Sequence, residues 1–508
     1  MLAWTIYISF AGVLVLMLLP RDDARAARKV ALLTAIAGFA AALIGAMQQG
    51  NPGEIVTITK CSWIPSLGAN YHLAADGISL TLVVLTGLAA IAGILFSWNI
   101  EKRAKEFFAF YLALIGGVYG VFLSFDLLLL FVFYELTIIP KYFLIARWGS
   151  TRKEYGAMKL ALYSFVGSHL VLIGLIAAWV VAKGQLGHAS LDLMELSKVS
   201  FPIGFQKWAF PLVFVGFGIL AGLWPFHTWA PTGHVAAPTA GSMLLAGVVM
   251  KLGAYGCLRV AMVLFPEGAA MWSTTIATLA VIGIVYGAGV ALVQKDFKFV
   301  IGYSSVSHMG FVLLGLATLN TVGLSGAVLQ MFSHGIIAGL LFAVVGRMVY
   351  DRTHTRDFGV LETMGLSKAL PFAAVTFVIA GIASMGLPGF SGFVAELQVL
   401  MGAWKAFPTA AVLAGVGIVV GVAYTLRAVQ KAFYADGTNG TDATNQEHAG
   451  SETGAPVEPI TTPERIGAVM LIATSLVIGL WPQLLLDWIE PCLKSELFQR
   501  LLAKGDSL

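Results

Sequence analysis

An all-α polytopic membrane fold of about fourteen transmembrane helices, two of them broken, is predicted by three observations. Hydrophobic residues make up 58% of the 508-residue chain and charged residues 11%, with a mean hydropathy of +0.84. Ordinary soluble domains carry roughly 25% charge. Apolar runs of ~17 to 25 residues, the length that crosses ~30 Å of hydrocarbon as helix, recur from end to end. Proline- and glycine-rich clusters interrupt the seventh and twelfth of these runs, where a helix should continue.

In order, the runs lie at 1–19, 30–47, 77–98, 107–124, 126–146, 157–182, 209–229, 239–265, 272–293, 300–319, 322–350, 369–403, 409–430 and 465–487. Basic residues collect in alternate connections: RDDARAARK, EKRAK, ARWGSTRKEYGAMK, QKDFK and RMVYDRTHTRD. Cytoplasmic loops accumulate Lys and Arg, so this side is predicted to be the cytoplasm, and an even number of spans places both termini outside. The net charge of +4 records this loop bias. It gives no basic patch interleaved with aromatics, and nucleic-acid binding is not indicated.

The first run lacks a basic n-region and a small-residue cleavage site, so it is expected to be retained as a span. Cys61, Cys257 and Cys492 have no CxxC spacing and no acidic or histidine neighbour at ligand spacing, which argues against an iron-sulfur or zinc site. The polar segment 435–464 has linker composition, and its NGT sequence would lie on the cytoplasmic side, where glycosylation does not occur. The last stretch, LLLDWIEPCLKSELFQRLLAK, is amphipathic, and is expected along the outer interface or against a neighbouring subunit.

The two interruptions are GLWPFHTWAPTGHVAAPTAG, around Pro225, Pro231 and Pro238, and SMGLPGFSGF, around Pro388 and Gly389. Backbone groups freed in lipid are tolerated only where protein or internal water satisfies them. The breaks are five spans apart, which fits two five-span units, spans 4–8 and 9–13, the second inverted because the number is odd. The chain then divides into an N-terminal three-helix segment 1–106, a first repeat 107–265, a second repeat 266–434, a cytoplasmic linker 435–464, and the last helix with its tail 465–508.

Ionisable residues stand inside apolar spans: Glu135 in FVFYELTIIP, Lys251 in LLAGVVMKLGAYG and Glu396 in GFVAELQVLMG. Burial drives each toward its neutral form unless a partner holds the charge, so a change of partner moves a proton. His308 and His334 have the chemistry to join acid to amine, since neutral imidazole both gives and accepts a proton. A structural salt bridge is the alternative for each carboxylate and lysine, and a hydrogen-bonded packing role for each histidine. His227 and His234 flank the first break without thiols or carboxylates nearby, so hydrogen bonding is expected there and a metal is not.

The segments FVFYELTIIPKYFLIARWG, PFHTWAPTGHVAAPTAGSMLLAGVVMKLGAYG, DFKFVIGYSSVSHMGFVLLG and GLPGFSGFVAELQVLMG resemble the antiporter-like membrane subunits, chain M among them, of bacterial NADH-quinone oxidoreductase, respiratory complex I. The resemblance runs in order from about residue 70 to 490. It implies the same fold, with Glu135, Lys251, His308, His334 and Glu396 at proton-path positions. It also implies a translocase subunit of the bacterial inner membrane with no cofactor of its own, whose partner subunits carry FMN and iron-sulfur clusters and bind quinone.

One position departs from the family pattern. A lysine usually lies five residues before the proline of PFHTW, where this chain has Leu220. Lys141, six residues after Glu135, is the candidate replacement cation, and snorkelling to the cytoplasmic interface is the competing expectation. Three alternative functions stand beside a complex I subunit: a subunit of a cation/proton antiporter or membrane-bound hydrogenase, a pump-inactive scaffold, and a standalone solute carrier.

Overall fold

The computed structural model describes residues 1–505 apart from 22, 52 and 436–457. Most of the linker, with its NGT sequence, lies outside the described residues. Among the described residues twelve helices are long and apolar enough to cross a membrane, and the shorter apolar helices Ala3–Leu18 and Pro371–Ser384 complete the predicted fourteen spans. Spans 3, 8 and 11 are wholly buried within the protein, whereas much of spans 2, 6, 13 and 14 faces outward. The core is therefore a cluster of apolar helices without the usual polar outer faces, as lipid-surrounded bundles require.

Local chemistry sets the helix boundaries. Asp126 accepts hydrogen bonds from the Leu128 and Leu129 amides to cap span 5, and Asp296 does the same for Lys298 and Phe299 at span 10. Span 5 divides at Thr137 into Leu127–Leu136 and Ile138–Trp148. Pro140 explains the position, because its ring crowds the carbonyl four residues earlier, at Leu136. The last span starts at Thr462, inside the stretch assigned to the linker, where Thr461 and Glu464 form a reciprocal capping box.

Two isolated bridges occupy matched places five spans apart. Asp126 and Asp192 form an isolated antiparallel bridge between the start of span 5 and the connection from span 6 to 7. Asp296 and Asp357 form the same bridge five spans later, between the start of span 10 and the connection from span 11 to 12. An odd offset places these two bridges on opposite rims, as inversion demands.

Residues 49–76, read from sequence only as a connection, contain a two-stranded hairpin, β1 (Val56–Ile64) and β2 (Ala69–Ala75), with irregular register near both ends. It is anchored to the bundle by His72 Nδ1 and Lys60 Nζ, 2.8 and 2.6 Å from Asp192 Oδ2. Burial opposes ionisation of Asp192, but the His72 and Lys60 hydrogen bonds outweigh it and hold this carboxyl at about 2. Burial conversely pushes Asp126 up to about 6, against the amide bonds that favour its charge.

The amphipathic tail forms helices Gln483–Leu493 and Glu496–Gly505. Its apolar residues Leu486, Ile489, Cys492 and Phe498 are buried within this chain, and Arg500 donates to the Ser197 and Val199 carbonyls. The expectation of an interfacial or partner-facing tail is thus corrected: its apolar face is covered by spans of its own bundle. Deeper still, the Arg259 guanidinium pairs with Asp76 at 2.6 Å, both side chains fully buried, and stacks near the rings of Phe125, Tyr255 and Phe498. This pair ties span 3, span 8 and the tail together.

Candidate functional site

Span 8 is not a uniform α-helix. A π-helical turn, Leu245–Val249, precedes the α-helical segment Met250–Gly256 that carries Lys251, and a second, Cys257–Met262, follows. Such turns widen a helix and often mark functional sites. Here the Lys251 ammonium donates back to the Ala246 carbonyl and lies 2.7 Å from His334 Nδ1 on span 11. Spans 8 and 11 approach closely enough for this because Gly247 and Gly335 face each other: a Cβ on Gly335 would come within 2.7 Å of the Gly247 carbonyl oxygen.

From His334 the path continues to His308 on span 10, the ring centroids 5.5 Å apart. A cavity of about 10 Å³ lies beside both rings, at the lower limit for one water. His308 Nε2 is 3.1 Å from Ser384 Oγ, at the end of the first half of span 12, and Nδ1 is 3.0 Å from Glu396 Oε1 in the second half. Gln330 Nε2 donates to the same Glu396 oxygen at 3.3 Å. The break in span 12 makes this geometry available. Gly386 there has a φ of +73°, and a Cβ on it would come within 2.9 Å of Glu396 Oε2.

Lys251, His334, His308 and Glu396 therefore form one file running from span 8 through spans 11 and 10 to span 12. Each ring nitrogen has a defined duty. Since Lys251 donates to His334 Nδ1, that nitrogen is an acceptor and Nε2 carries the proton of the neutral ring. In the neutral ring of His308, a proton on Nδ1 directed at Glu396 leaves Nε2 as the acceptor facing Ser384.

Glu135 and Lys141 are not in the file. Lys141 is buried, 1% exposed, so it does not reach the rim as the snorkelling alternative required. Neither its Nζ nor Glu135 Oε1 has a hydrogen-bond partner, and no direct ion pair joins them. Glu135 is nonetheless the charge near enough to act on Lys141 through its field. Leu220, at the usual lysine position, is packed in the apolar core at 1% exposure.

His227 and His234 are buried beside the first break, against Tyr286 and Phe342 respectively, and their ring nitrogens have no hydrogen-bond partner. The expectation of hydrogen bonding there is not met. Among the described residues no group of His, Cys, Asp or Glu is arranged to hold a metal. A cavity of about 520 Å³ opens among the basic connections, lined by Lys298, Arg347, Asp351 and Thr239, and Lys298 Nζ donates from it to the Ala237 carbonyl at 2.7 Å.

A family model described as "NADH:quinone oxidoreductase/Mrp antiporter, TM" matches residues 124–421. The chain belongs to this family. It is 37% identical over 475 residues to NAD(P)H-quinone oxidoreductase chain 4 1 of Synechococcus elongatus, covering 92% of this chain and 86% of the relative. It is 35% identical over 482 residues to NADH-quinone oxidoreductase subunit M of Rhodobacter capsulatus, covering 92% and 90%. A chain of respiratory complex I from Thermus thermophilus superposes with a TM-score of 0.86 at 27% identity, covering 99% of this chain and all of that one. The Mrp complex of a Dietzia species shares the fold, with a TM-score of 0.83 at 21% identity and coverage of 99% and 98%.

Within this NADH:quinone oxidoreductase/Mrp antiporter fold, sequence reasoning singled out Lys251, His334, His308 and Glu396 and missed Gln330 and Ser384. Gln330 had a signal: it lies four residues before His334, one helical turn away on the same face. Ser384 had none beyond its position at the edge of the span 12 break.

Proposed function

We propose that this chain is a proton-translocating membrane subunit of a bacterial NADH-quinone oxidoreductase, set in the inner membrane with both termini on the periplasmic side. Its other membrane subunits flank it, and partner subunits supply FMN, iron-sulfur clusters and the quinone site. The single observation that carries the reading is the file of four titratable side chains, Lys251, His334, His308 and Glu396, with a small cavity between its two histidines.

The chemistry follows from the ring assignments. Lys251 gives a proton to His334 Nδ1, and the imidazolium releases its Nε2 proton toward the small cavity. The proton reaches His308 Nε2 by way of Ser384, while the Nδ1 proton leaves to Glu396. Each imidazole thus takes a proton at one nitrogen and gives one at the other. A shift in the distant Glu135–Lys141 field is the trigger that starts the transfer. The basic connections on one rim support the assignment of that rim to the cytoplasm.

A cation/proton antiporter subunit is the second reading, favoured by the family description and by the fold shared with the Mrp complex. Co-purified flavin and iron-sulfur subunits separate the two.

Glu396→Gln tests the proposal. Glutamine keeps the size and can still hydrogen-bond His308 and Gln330, but takes no proton. In the assembled complex, coupled quinone reduction is expected to fall on the order of 10²-fold, the scale of losing one positioned proton-transfer group. Unchanged turnover and pumping with normal subunit composition contradicts the relay.

A further inference from the structure

Span 6, Lys153–Leu186, turns one face away from its own bundle. Met158, Leu162, Phe165, Ile173 and Ile176 are exposed on it, and His169 completes the stripe, each step being three or four residues. That spacing lays one continuous stripe along the helix, with His169 in the middle of it.

His169 is the exposed histidine that stands apart. Among the described residues no other exposed histidine lies within a spanning helix. It falls at the midpoint of its 34-residue helix, roughly 25 Å from the Arg152 end at ~1.5 Å per residue, far from either headgroup layer. Its Nδ1 is 2.6 Å from the Phe165 carbonyl, an acceptor, so Nδ1 carries the proton and Nε2 of the neutral ring is left as an acceptor. An imidazole acceptor facing hydrocarbon at that depth carries the desolvation cost of an unpaired polar group.

We propose that this face is an interface for a transmembrane helix of a neighbouring membrane subunit, and that the helix presents a hydrogen-bond donor to His169 Nε2. A single polar contact in an apolar seam fixes register, and in lipid such contacts are a principal source of helix–helix specificity. The interface also has a route inward: Tyr163 Oη is 3.0 Å from Thr228 Oγ1 and Lys159 Nζ donates to Thr232 Oγ1 at 3.4 Å, both partners beside the break in span 7. A neighbour seated on the stripe thus touches span 6, whose Lys159 and Tyr163 bond the residues at the first interruption.

The inference rests on the proposed membership of a multi-subunit complex. The test is a photocrosslinking benzoyl-phenylalanine placed at position 169 in the intact complex, with adducts identified by mass spectrometry. Adducts with another membrane subunit are expected. Adducts with lipid only, or with a second copy of this chain, overturn the interface. In parallel, His169→Leu is expected to make the neighbouring subunit dissociate roughly tenfold more readily in detergent, the worth of one interhelical hydrogen bond, while His169→Gln, which keeps an acceptor, retains it. Equal retention in both variants and wild type overturns the polar contact. Flavin and iron-sulfur subunits co-purifying with the wild-type chain test the complex reading separately, so lipid-only adducts in such a preparation refute the interface alone.

Discussion

Lys251→Met is expected to lower coupled quinone reduction on the order of 10²-fold and to abolish the proton movement carried by this subunit. Lys251 is wholly buried, and its hydrogen-bond partners among the described residues are the Ala246 carbonyl and His334 Nδ1. Methionine matches the stem in length and needs no partner, so folding and assembly should survive; a buried ammonium is costly to keep. The stronger version of the experiment is Lys251→Arg. Arginine preserves the positive charge, and a purely structural role would tolerate it. A relay would not, because guanidinium does not release its proton in proteins. Equal loss in Lys251→Met and Lys251→Arg is the expected pattern, checked by quinone reduction and proton uptake in sealed vesicles. Recovery of pumping by arginine contradicts the relay.

Lys141→Met is expected to lower the proton-to-electron ratio while leaving the subunit at least as stable as wild type. Lys141 is buried without a hydrogen-bond acceptor, so its charge brings the fold a desolvation cost and no direct pairing in return. A residue retained at such a cost points to function. With Leu220 in span 7, Lys141 is the buried amine on which the Glu135 charge acts, and removing it takes that coupling away. Thermal unfolding of the purified complex and vesicle acidification together check both halves. An unchanged ratio removes Lys141 from the mechanism, and a large loss of stability assigns it to structure.

The spans, the two breaks and the four members of the file were legible because each is an anomaly in an otherwise apolar text. A proline cluster in a run of leucines, or a lysine flanked by valines, has few structural excuses in lipid. Gln330 and Ser384 escaped because uncharged polar residues are ordinary in membrane helices, and only the packing of spans 10, 11 and 12 gathers them. The hairpin Val56–Ile64 with Ala69–Ala75 escaped for a different reason: mixed exposure along the first strand blurs the period-two signal, and its anchors Lys60 and His72 meet Asp192 more than a hundred residues away. The tail was read as amphipathic, which is correct, but an apolar face does not say what covers it. Asp76, which caps span 3, and Arg259 were not singled out, because 183 residues separate the two partners of this buried pair.

The central claim is that protons cross through this chain's own buried charges, although its seventh span carries Leu220. The most direct test is the proton-to-electron ratio of the whole membrane complex in sealed vesicles, with Glu135 changed to Gln. A lower ratio, or loss of coupled turnover, with every subunit present is expected. An unchanged ratio with intact assembly would contradict it and leave the chain a scaffold.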